Sequence, residues 1–296
     1  MIDIQIIMQH SILITGAKGQ LGCELQELIP LYPQYRFFPT DVDTLDLCDK
    51  EAVESFLNKN PIDYIINCAA YTAVDKAEDD SVLCYRINRD AVQNLAEAAG
   101  GKAKIIHIST DYVFDGTSER PLRETDKTNP QSVYGKSKLE GEQALLKTSP
   151  ESIIIRTAWL YSSFGNNFVK TMIRLGKEKE SINVVNDQIG TPTYAADLAK
   201  AILTIIEESE KNRIFHSGIY HYSNEGVCTW YEFCLKIHES AGITTCKVRP
   251  VSTAEYPAKA ARPKYSLLDK TKIKKTFHLS IPQWEESLKH FISNNP

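Results

Sequence analysis

The sequence has no long apolar run and no excess of positive charge. None of its hydrophobic stretches approaches the ~20 residues that a helix needs to cross a bilayer, so membrane association is not expected. The 34 Lys and Arg residues are outnumbered by 38 Asp and Glu residues, which gives a formal net charge of −4. Nucleic acid is therefore not an expected partner, because its binding proteins usually carry a basic patch. The 42% of hydrophobic residues over 296 positions is typical of a globular protein with a sizeable core.

The cysteines and the N-terminal segment both bear on the cellular compartment. Seven cysteines are present, an odd number, and no two are spaced as C-x-x-C, so neither a disulfide framework nor a zinc site is expected. The segment MIDIQIIMQH contains Asp3 and lacks a basic start, unlike a signal peptide. Residues 1–9 are expected to form a short extension ahead of the first strand. The protein is predicted to be cytoplasmic, with its thiols reduced. The cysteines are Cys23, Cys48, Cys68, Cys84, Cys228, Cys234 and Cys246.

The first half of the chain alternates short Ile- and Val-rich runs with amphipathic stretches. Such runs, separated by helical patterns, are typical of parallel strands that are buried on both faces of a sheet. The alternation predicts a Rossmann-type, doubly wound α/β fold. The predicted strands are residues 11–15, 35–39, 63–67, 104–110 and 152–157, and the predicted helical stretches are residues 21–29, 50–59, 92–99 and 138–146.

A glycine-rich motif, TGAKGQLG, follows the first predicted strand and opens the first helix. Its glycines, Gly16, Gly19 and Gly22, form G-x-x-G-x-x-G, a variant of the dinucleotide-binding fingerprint in the strand–turn–helix context that this fingerprint requires. Glycines let the backbone approach a pyrophosphate, and the N-terminus of a helix favours its negative charge. The motif predicts a cofactor-binding loop that also includes Lys18, Gln20 and Leu21.

Asp41 follows the second predicted strand, 41 − 22 = 19 positions after the last glycine of the loop. A carboxylate near this position commonly binds the ribose hydroxyls of NAD, and it would repel the 2′-phosphate of NADP. Lys18, within the loop itself, can offset that repulsion. The choice between NADH and NADPH therefore stays open at this stage.

After about residue 160 turn residues and aromatics become more frequent and the alternation is lost. This change predicts a smaller C-terminal substrate-binding lobe at the carboxyl edge of the sheet, where ligands bind in open α/β folds. Residues 10–160 are expected to form the NAD(P)-binding Rossmann domain. Residues 161–296 are expected to form mainly the lobe, with some segments that return to the first domain.

Three residues have the spacing and chemistry needed to reduce a carbonyl group. Thr110 ends the fourth predicted strand, Tyr134 lies at the start of the next helix, and Lys138 follows one helical turn later. Reduction requires a hydride from a nicotinamide and a proton for the forming alkoxide. A phenol with a pKa of about 10 is a poor acid at neutral pH, and a neighbouring ammonium group lowers this pKa. Tyr134 is thus predicted to give the proton, while Thr110 holds the substrate oxygen.

These motifs belong to a longer series that spans nearly the whole chain. On this series the sequence resembles the extended short-chain dehydrogenases/reductases and, among them, the dTDP-4-dehydrorhamnose reductase family. AAYTAVDKAE and NDQxGxPT are far more diagnostic of this family than the Tyr-x-x-x-Lys spacing. The matching segments, in chain order, are TGAKGQLG, NCAAYTAVDKAE, ISTDYVFDG, YGKSKLEGE, RTAWLY, GNNFVKTM, VNDQIGTPTY and ARP.

The resemblance implies an activity and residue roles. The activity is reduction of the C4 keto group of dTDP-4-dehydro-6-deoxy-L-mannose to dTDP-L-rhamnose by NADPH or NADH, in a homodimer. Tyr134 would be the proton donor, Thr110 its hydroxyl partner, and Lys138 would both tune Tyr134 and bind the nicotinamide ribose. The remaining implied cofactor contacts are Asp46, Leu47, Ala69, Ala70 and Tyr71, and the implied substrate contacts are Thr110, Asp111, Tyr134, Trp159, Asn167 and Arg262.

The chain departs from some family members at a metal site. Certain bacterial members are similar in fold but hold a magnesium ion through glutamates at a subunit interface. Glu24 matches one such position, but Ala196 stands where a second glutamate is expected. No metal site is therefore predicted.

Two alternative functions remain open from the sequence. The regulatory subunit of methionine adenosyltransferase is similar to these reductases and serves mainly as a binding partner, so a non-catalytic role is one alternative. A sugar-nucleotide epimerase or dehydratase is another. Dehydratases of this superfamily carry two adjacent acids after the strand-end Thr, whereas here Asp111 is followed by Tyr112.

Overall fold

A computed structural model describes residues 9–295. The expected N-terminal extension, residues 1–9, thus lies outside the described residues apart from Gln9. None of the helices between residues 9 and 295 is long and apolar enough to span a membrane.

The centre of the molecule is a six-stranded sheet in which every strand pairs in parallel. The predicted doubly wound α/β fold is confirmed. The chain adds β2 on one side of β1 and then β3 on its other side, so the order reverses between β1 and β3, where ligands bind in such sheets. The order is β2 (Tyr35–Thr40), β1 (His10–Thr15), β3 (Tyr64–Asn67), β4 (Lys104–Thr110), β5 (Ile153–Thr157) and β10 (Gly218–His221).

Helices cover both faces of this sheet because alternate residues of each strand point to opposite sides. Ile12 and Ile14 of β1 pack into one apolar cluster, and Leu13 between them packs into another. The first cluster is covered by α1 (Gln20–Leu28), α8 (Ala195–Asn212) and α10 (Thr271–Phe277). The second is covered by α2 (Lys50–Lys59), α5 (Ala91–Ala99) and α6 (Val133–Thr148).

The first five strands match their predicted positions to within one residue at each end. Helix α6 begins five residues ahead of the predicted stretch. The Ser132 hydroxyl accepts a hydrogen bond from Gly135 N at 3.1 Å and caps the helix. Tyr134, Gly135 and Ser137 are all buried, so the first turn lacks the amphipathic pattern that marks the rest of the helix.

The sixth strand, β10, comes from the part of the chain after residue 160, in which no strand was predicted. It pairs in parallel with β5, and the long helix α8 packs beside α1 under the same sheet. The division at residue 160 stays a prediction. The pairing of β10 with β5 is one contact of the later segments with the sheet.

The remaining elements surround a third apolar core that contains Tyr161, Val169, Phe233, Trp284 and Phe291. In this region β12 pairs in parallel with β7, β6 pairs in parallel with β9, and β11 pairs antiparallel with β8. The elements are β6 (Leu160–Tyr161), α7 (Phe168–Glu178), β7 (Ser181–Val185), β8 (Ile189–Gly190), β9 (Thr193–Tyr194), β11 (Cys228–Thr229), α9 (Trp230–Ser240), β12 (Lys247–Val251) and α11 (Trp284–Asn294). Two short helices, α3 (Val74–Ala77) and α4 (Ser81–Tyr85), precede α5.

Candidate active site

The glycine loop lies at the point where the strand order reverses. Gly16 has a φ of +64°, and a Cβ atom there would come within 2.7 Å of the backbone N of Ala69, which follows β3. Gly22 is equally constrained, since a Cβ would lie 2.3 Å from the carbonyl oxygen of Gly16. Gly19 is the N-cap of α1. The loop therefore offers free backbone at a helix N-terminus, which fits the pyrophosphate of a dinucleotide.

Gly16→Ala is expected to weaken dinucleotide binding at least about 10-fold and to lower the free energy of unfolding by about 1–3 kcal/mol. The added methyl group would both strain the positive φ and overlap the backbone at Ala69. NADPH fluorescence titration and urea unfolding measure the two effects. Gly101→Ala is the matched control, because Gly101 has a φ of +75° and no atom within 4 Å of an added Cβ. Equal dinucleotide affinity in both variants would contradict the role of the loop.

A cavity of about 520 Å³ opens above this loop and extends along the ends of β1, β2 and β3. Eight of the predicted cofactor residues line it, namely Gly16, Lys18, Gly19, Asp41, Asp46, Leu47, Ala69 and Ala70. Sequence reasoning missed Thr15, Val42, Leu45, Cys48, Cys68, Leu83, Arg86, Ile87 and Ala91, which also line it. Most of them are neighbours of the predicted residues. Arg86, Ile87 and Ala91 come from a segment with no recognisable motif.

Four other predicted cofactor residues, from the loop and from the segment after β3, lie outside this lining: Gln20, Leu21, Gly22 and Tyr71. Leu21 and Gly22 are buried in α1, and the Gln20 side chain accepts a hydrogen bond from Asn167 Nδ2 at 3.0 Å. Tyr71 exchanges two backbone hydrogen bonds with the Asn88 side chain and packs near Tyr134. Their contacts with a cofactor stay predictions.

Asp41 and Lys18 meet at the mouth of the cavity. The Asp41 carboxylate accepts hydrogen bonds at 2.8 Å from the backbone N of Lys18 and of Val42. The Lys18 ammonium forms an ion pair with Asp43 at 2.5 Å, and this pairing raises the pKa of Lys18. A cation and two carboxylates thus surround the place where a ribose with or without a 2′-phosphate would bind.

Thr110 and Tyr134 are brought together by β4 and α6. The Thr110 hydroxyl donates to Asp111 Oδ1 at 3.1 Å and accepts from the backbone N of Tyr112 at 3.2 Å. Burial raises the pKa of Tyr134 above its ordinary value, while a hydrogen bond with the Thr110 side chain acts in the opposite direction. At neutral pH the phenol therefore keeps its proton, as a proton donor requires.

Lys138 is the third member of this group and is 1% exposed. Its ammonium nitrogen lies 2.7 Å from the carbonyl oxygen of Ile108 and 3.3 Å from Nε2 of His107. Burial lowers its pKa to about 8, and the Glu142 carboxylate opposes that change. The expectation that Lys138 lowers the pKa of Tyr134 stays a prediction.

Asp111 lies behind the Thr110 hydroxyl and is almost fully buried. Burial raises the pKa of its carboxyl group to about 6, while hydrogen bonds from the Ser266 and Thr110 side chains oppose the shift. Asp111 thus orients the Thr110 hydroxyl by accepting its hydrogen bond.

A second cavity, of about 450 Å³, lies beside Tyr112. The Tyr112 ring lines this cavity and packs edge-on against the Tyr134 ring, with 5.5 Å between centroids. Sequence reasoning found Arg262 in this lining but missed the others. They come from distant segments: Phe168, Met172, Asn183, Val184, Val185, Gln188, Trp230, Thr253, Tyr256, Pro257, Ala258, Ala260 and Ala261.

Besides Asp111, three predicted substrate residues lie outside the catalytic group, and they are placed differently. Arg262 lines the cavity, where it forms an ion pair with Asp75 at 2.6 Å. Trp159 stacks on the lining residue Trp230 with 3.7 Å between ring centroids. Asn167 caps α7 and donates to Gln20 and to the backbone of Ser162, so its side chain already has protein partners.

Glu24, the one residue that matched a metal-binding position, is buried and accepts a hydrogen bond from Ser162 at 2.7 Å. Burial raises the pKa of its carboxyl group. Ala196 lies in the first turn of α8. Within residues 9–295 no group of three or more His, Cys, Asp or Glu side chains is arranged to hold a metal ion.

The parallel sheet, the glycine loop and the buried Tyr134–Lys138 pair define a Rossmann-like protein of the dehydrogenase/reductase class. The comparisons with known proteins are more specific. The family model described as "RmlD substrate binding domain" matches residues 9–295, and the chain belongs to this family.

Curated relatives and solved structures agree with this assignment. The chain is 43% identical over 285 residues to the dTDP-4-dehydrorhamnose reductase of Aggregatibacter actinomycetemcomitans, covering 94% of this chain and 97% of that protein. It is similar to the crystal structure of a dTDP-4-dehydrorhamnose reductase from Clostridium acetobutylicum, with 46% identity, a TM-score of 0.90 and coverage of 96% and 99%. The Bacillus anthracis enzyme in complex with NADP has 44% identity, a TM-score of 0.91 and coverage of 97% and 100%.

Proposed function

We propose that the protein reduces the C4 keto group of dTDP-4-dehydro-6-deoxy-L-mannose to dTDP-L-rhamnose, with NADPH or NADH as the hydride donor. The observation that carries the proposal is the buried group of Thr110, Tyr134 and Lys138, in which the Tyr134 ring packs against the Tyr112 ring that lines the second cavity. The same reaction is expected from full-length similarity to proteins named dTDP-4-dehydrorhamnose reductases. The nicotinamide supplies a hydride when it is bound.

The protein side chains supply binding and the proton. Gly16 and the N-terminus of α1 would hold the cofactor pyrophosphate, and Lys138 would hold the nicotinamide ribose. Thr110 would orient the substrate oxygen by a hydrogen bond. Tyr134 carries its proton at neutral pH, although burial, which raises its pKa, makes it a weaker acid than an ordinary tyrosine. It would transfer that proton to the forming alkoxide, after which the phenolate must be reprotonated.

The second cavity, beside Tyr112, suits the sugar nucleotide. Its lining combines the apolar and aromatic surfaces of Phe168 and Trp230 with the guanidinium group of Arg262, which can bind a diphosphate through two parallel hydrogen bonds. Arg262 would exchange Asp75 for that diphosphate. Trp159 would support Trp230 by stacking on it. Asn167 would act through Gln20, and Asp111 through Thr110, the side chains to which they are hydrogen-bonded.

The proposal is accompanied by expectations about the division of the chain, the oligomeric state and the cellular compartment. The first 160 residues would bind the cofactor, and most of the later residues would bind the sugar nucleotide. The protein would act as a homodimer in the cytoplasm, as the resemblance implies. The regulatory-subunit and epimerase alternatives are not favoured, since a reductase needs the complete proton-donating group and neither alternative explains it better.

The direct test follows absorbance at 340 nm while the purified protein meets the 4-keto-L-sugar nucleotide with NADPH or NADH. Stoichiometric cofactor oxidation and formation of dTDP-L-rhamnose, identified by mass and retention time, would support the proposal. A tightly bound cofactor that is retained through purification and never consumed would favour an epimerase. Absence of oxidation with both cofactors would exclude the proposed reaction.

Lys18→Ala is expected to lower kcat/KM with NADPH by about 10-fold and to leave the value with NADH within about twofold. The variant removes the cation nearest Asp41 and also frees the Asp43 carboxylate, which would repel a 2′-phosphate. Lys50→Ala is the matched control, because Lys50 forms a comparable exposed ion pair with Glu97 at 2.7 Å but does not line the cavity. Equal losses with both cofactors would contradict the prediction.

A further inference from the structure

A chain of buried polar side chains runs from the glycine loop to Lys138. The Thr15 hydroxyl donates to Asn67 Oδ1 at 2.7 Å, Asn67 Nδ2 lies 3.0 Å from His107 Nδ1, and His107 Nε2 lies 3.3 Å from Lys138 Nζ. All four side chains are at most 1% exposed. The series starts at the last residues of β1 and β3, passes through the middle of β4 and finishes on α6. The proposed function uses Lys138 but assigns no role to Asn67 or His107.

The backbone fixes the orientation of the Asn67 amide. The N–H group of Ala69 can only donate, and it lies 3.2 Å from Asn67 Oδ1. If the amide were rotated, Asn67 Nδ2 would face the N–H group of Ala69, and two donors would oppose each other. Asn67 Nδ2 must therefore face His107 and donate to it.

The orientation of Asn67 in turn fixes the histidine. Burial and the neighbouring Lys138 lower the pKa of His107 well below its ordinary value, so the ring is neutral and carries one proton. Nδ1 accepts from Asn67 Nδ2, so the proton is on Nε2. The Nε2–H group then points at Lys138 Nζ, whose other partner is the carbonyl oxygen of Ile108.

An ammonium group has three donors and no acceptor, whereas a neutral amine has a lone pair. If Lys138 is an ammonium group, it faces the Nε2–H donor at 3.3 Å with no lone pair to accept a hydrogen bond. If Lys138 is a neutral amine, its lone pair can accept a hydrogen bond from Nε2–H. We propose that His107 is a positioning residue which, held by Asn67 as the Nε2–H tautomer, favours the neutral amine of Lys138 over its ammonium form. Lys138 would pass the released proton to solvent.

The other groups that face Lys138 act against His107. Glu142 on α6, Cys68 after β3 and Cys84 on α4 all raise the pKa of Lys138. Tyr134 lies one turn earlier on α6. Of these side chains, His107 is the one that opposes the ammonium form of Lys138. Burial acts in the same direction as His107. The consequence for catalysis rests on the proposed function: the alkaline limit of the reductase should follow the deprotonation of Lys138.

The first test is direct and needs no substrate. Long-range ¹H–¹⁵N correlation spectra of the protein with ¹⁵N-labelled histidine report which ring nitrogen carries the proton. The His107 signal is assigned by its loss in His107→Gln. A protonated Nε2 and a bare Nδ1 are expected. An Nδ1–H tautomer of His107 in the wild-type protein would overturn the proposal.

The second test titrates Lys138 itself. In protein with ¹³Cε-labelled lysine, the Lys138 signal, assigned by its loss in Lys138→Met, is followed against pH. The pKa of Lys138 is expected to rise by about one pH unit in His107→Gln, because the amide can turn an oxygen toward the ammonium group. His221→Gln is the matched control: His221 is also fully buried, but its ring contacts Leu122. An unchanged pKa in folded His107→Gln would overturn the proposal.

Kinetics separate this proposal from the proposed function. If the protein is a reductase, the alkaline limit of kcat/KM should move to higher pH in His107→Gln and stay unchanged in His221→Gln. If no reductase activity is found but the wild-type tautomer and the Lys138 titration are as expected, the proposed reaction fails and the role of His107 stands.

Discussion

Tyr134→Phe is expected to lower kcat for carbonyl reduction by about 10²–10⁴-fold, while the affinity for NADPH changes little. The variant removes the phenolic proton that the proposed function assigns to the forming alkoxide. The ring itself is kept, so its edge-on contact with Tyr112 and its place in the apolar cluster with Ala77 and Cys84 remain. The loss should therefore fall on the chemical step.

The measurement compares single-turnover NADPH oxidation with NADPH binding by fluorescence. Tyr161→Phe is the matched control, because Tyr161 is buried, its hydroxyl has no hydrogen-bond partner among the residues described, and it lies in the third apolar core. Activity within about tenfold of the wild type in Tyr134→Phe would mean that another group gives the proton. In that case the assignment of Tyr134 would be wrong.

Arg156→Met is expected to lower the free energy of unfolding by about 3–5 kcal/mol. Arg156 of β5 forms two hydrogen bonds with Glu142 of α6, at 2.9 Å and 2.6 Å, and the two side chains are 3% and 2% exposed. Ser109 of β4 donates to the same carboxylate at 2.5 Å. Removal of the guanidinium group would leave a buried carboxylate with a single hydroxyl partner.

Urea unfolding of three variants measures this effect. Replacing both partners, Glu142→Leu with Arg156→Met, should recover most of the loss because no unpaired charge remains in the interior. Arg174→Met, which breaks an exposed ion pair with Glu178 on α7, should leave the free energy of unfolding nearly unchanged. A small loss in Arg156→Met, comparable to that in Arg174→Met, would contradict the prediction.

The buried ion pair also has a place in the function. It joins β4, β5 and α6 directly behind the catalytic group, with Ser109 next to Thr110 and Glu142 one helical turn after Lys138. A destabilised Arg156→Met protein that still folds should therefore lose activity through poorer alignment of Tyr134. Part of the effect should reverse on cooling or in stabilising osmolytes.

The sequence alone determined the features that depend on neighbours along the chain. Five strands were predicted because each is a short run that contains consecutive aliphatic or aromatic residues, and the glycine loop because its three glycines follow a strand at fixed spacing. Tyr134 and Lys138 could be paired because residues four apart share a helical face. Thr110 could be joined to them because the carboxyl ends of parallel strands lie at one edge of a sheet.

Only the tertiary structure decided the features that join distant segments. β10 has four residues, two of them buried, so nothing in its pattern marks it as a strand, and its pairing with β5 provides the stabilisation. No functional motif includes His107, and its contacts with Asn67 and Lys138 arise because β3, β4 and α6 meet there. The second cavity is assembled from segments between Tyr112 and Arg262. Burial of these groups, which changes both their pKa values and their hydrogen-bond partners, is a property of the folded chain and is not encoded in local spacing.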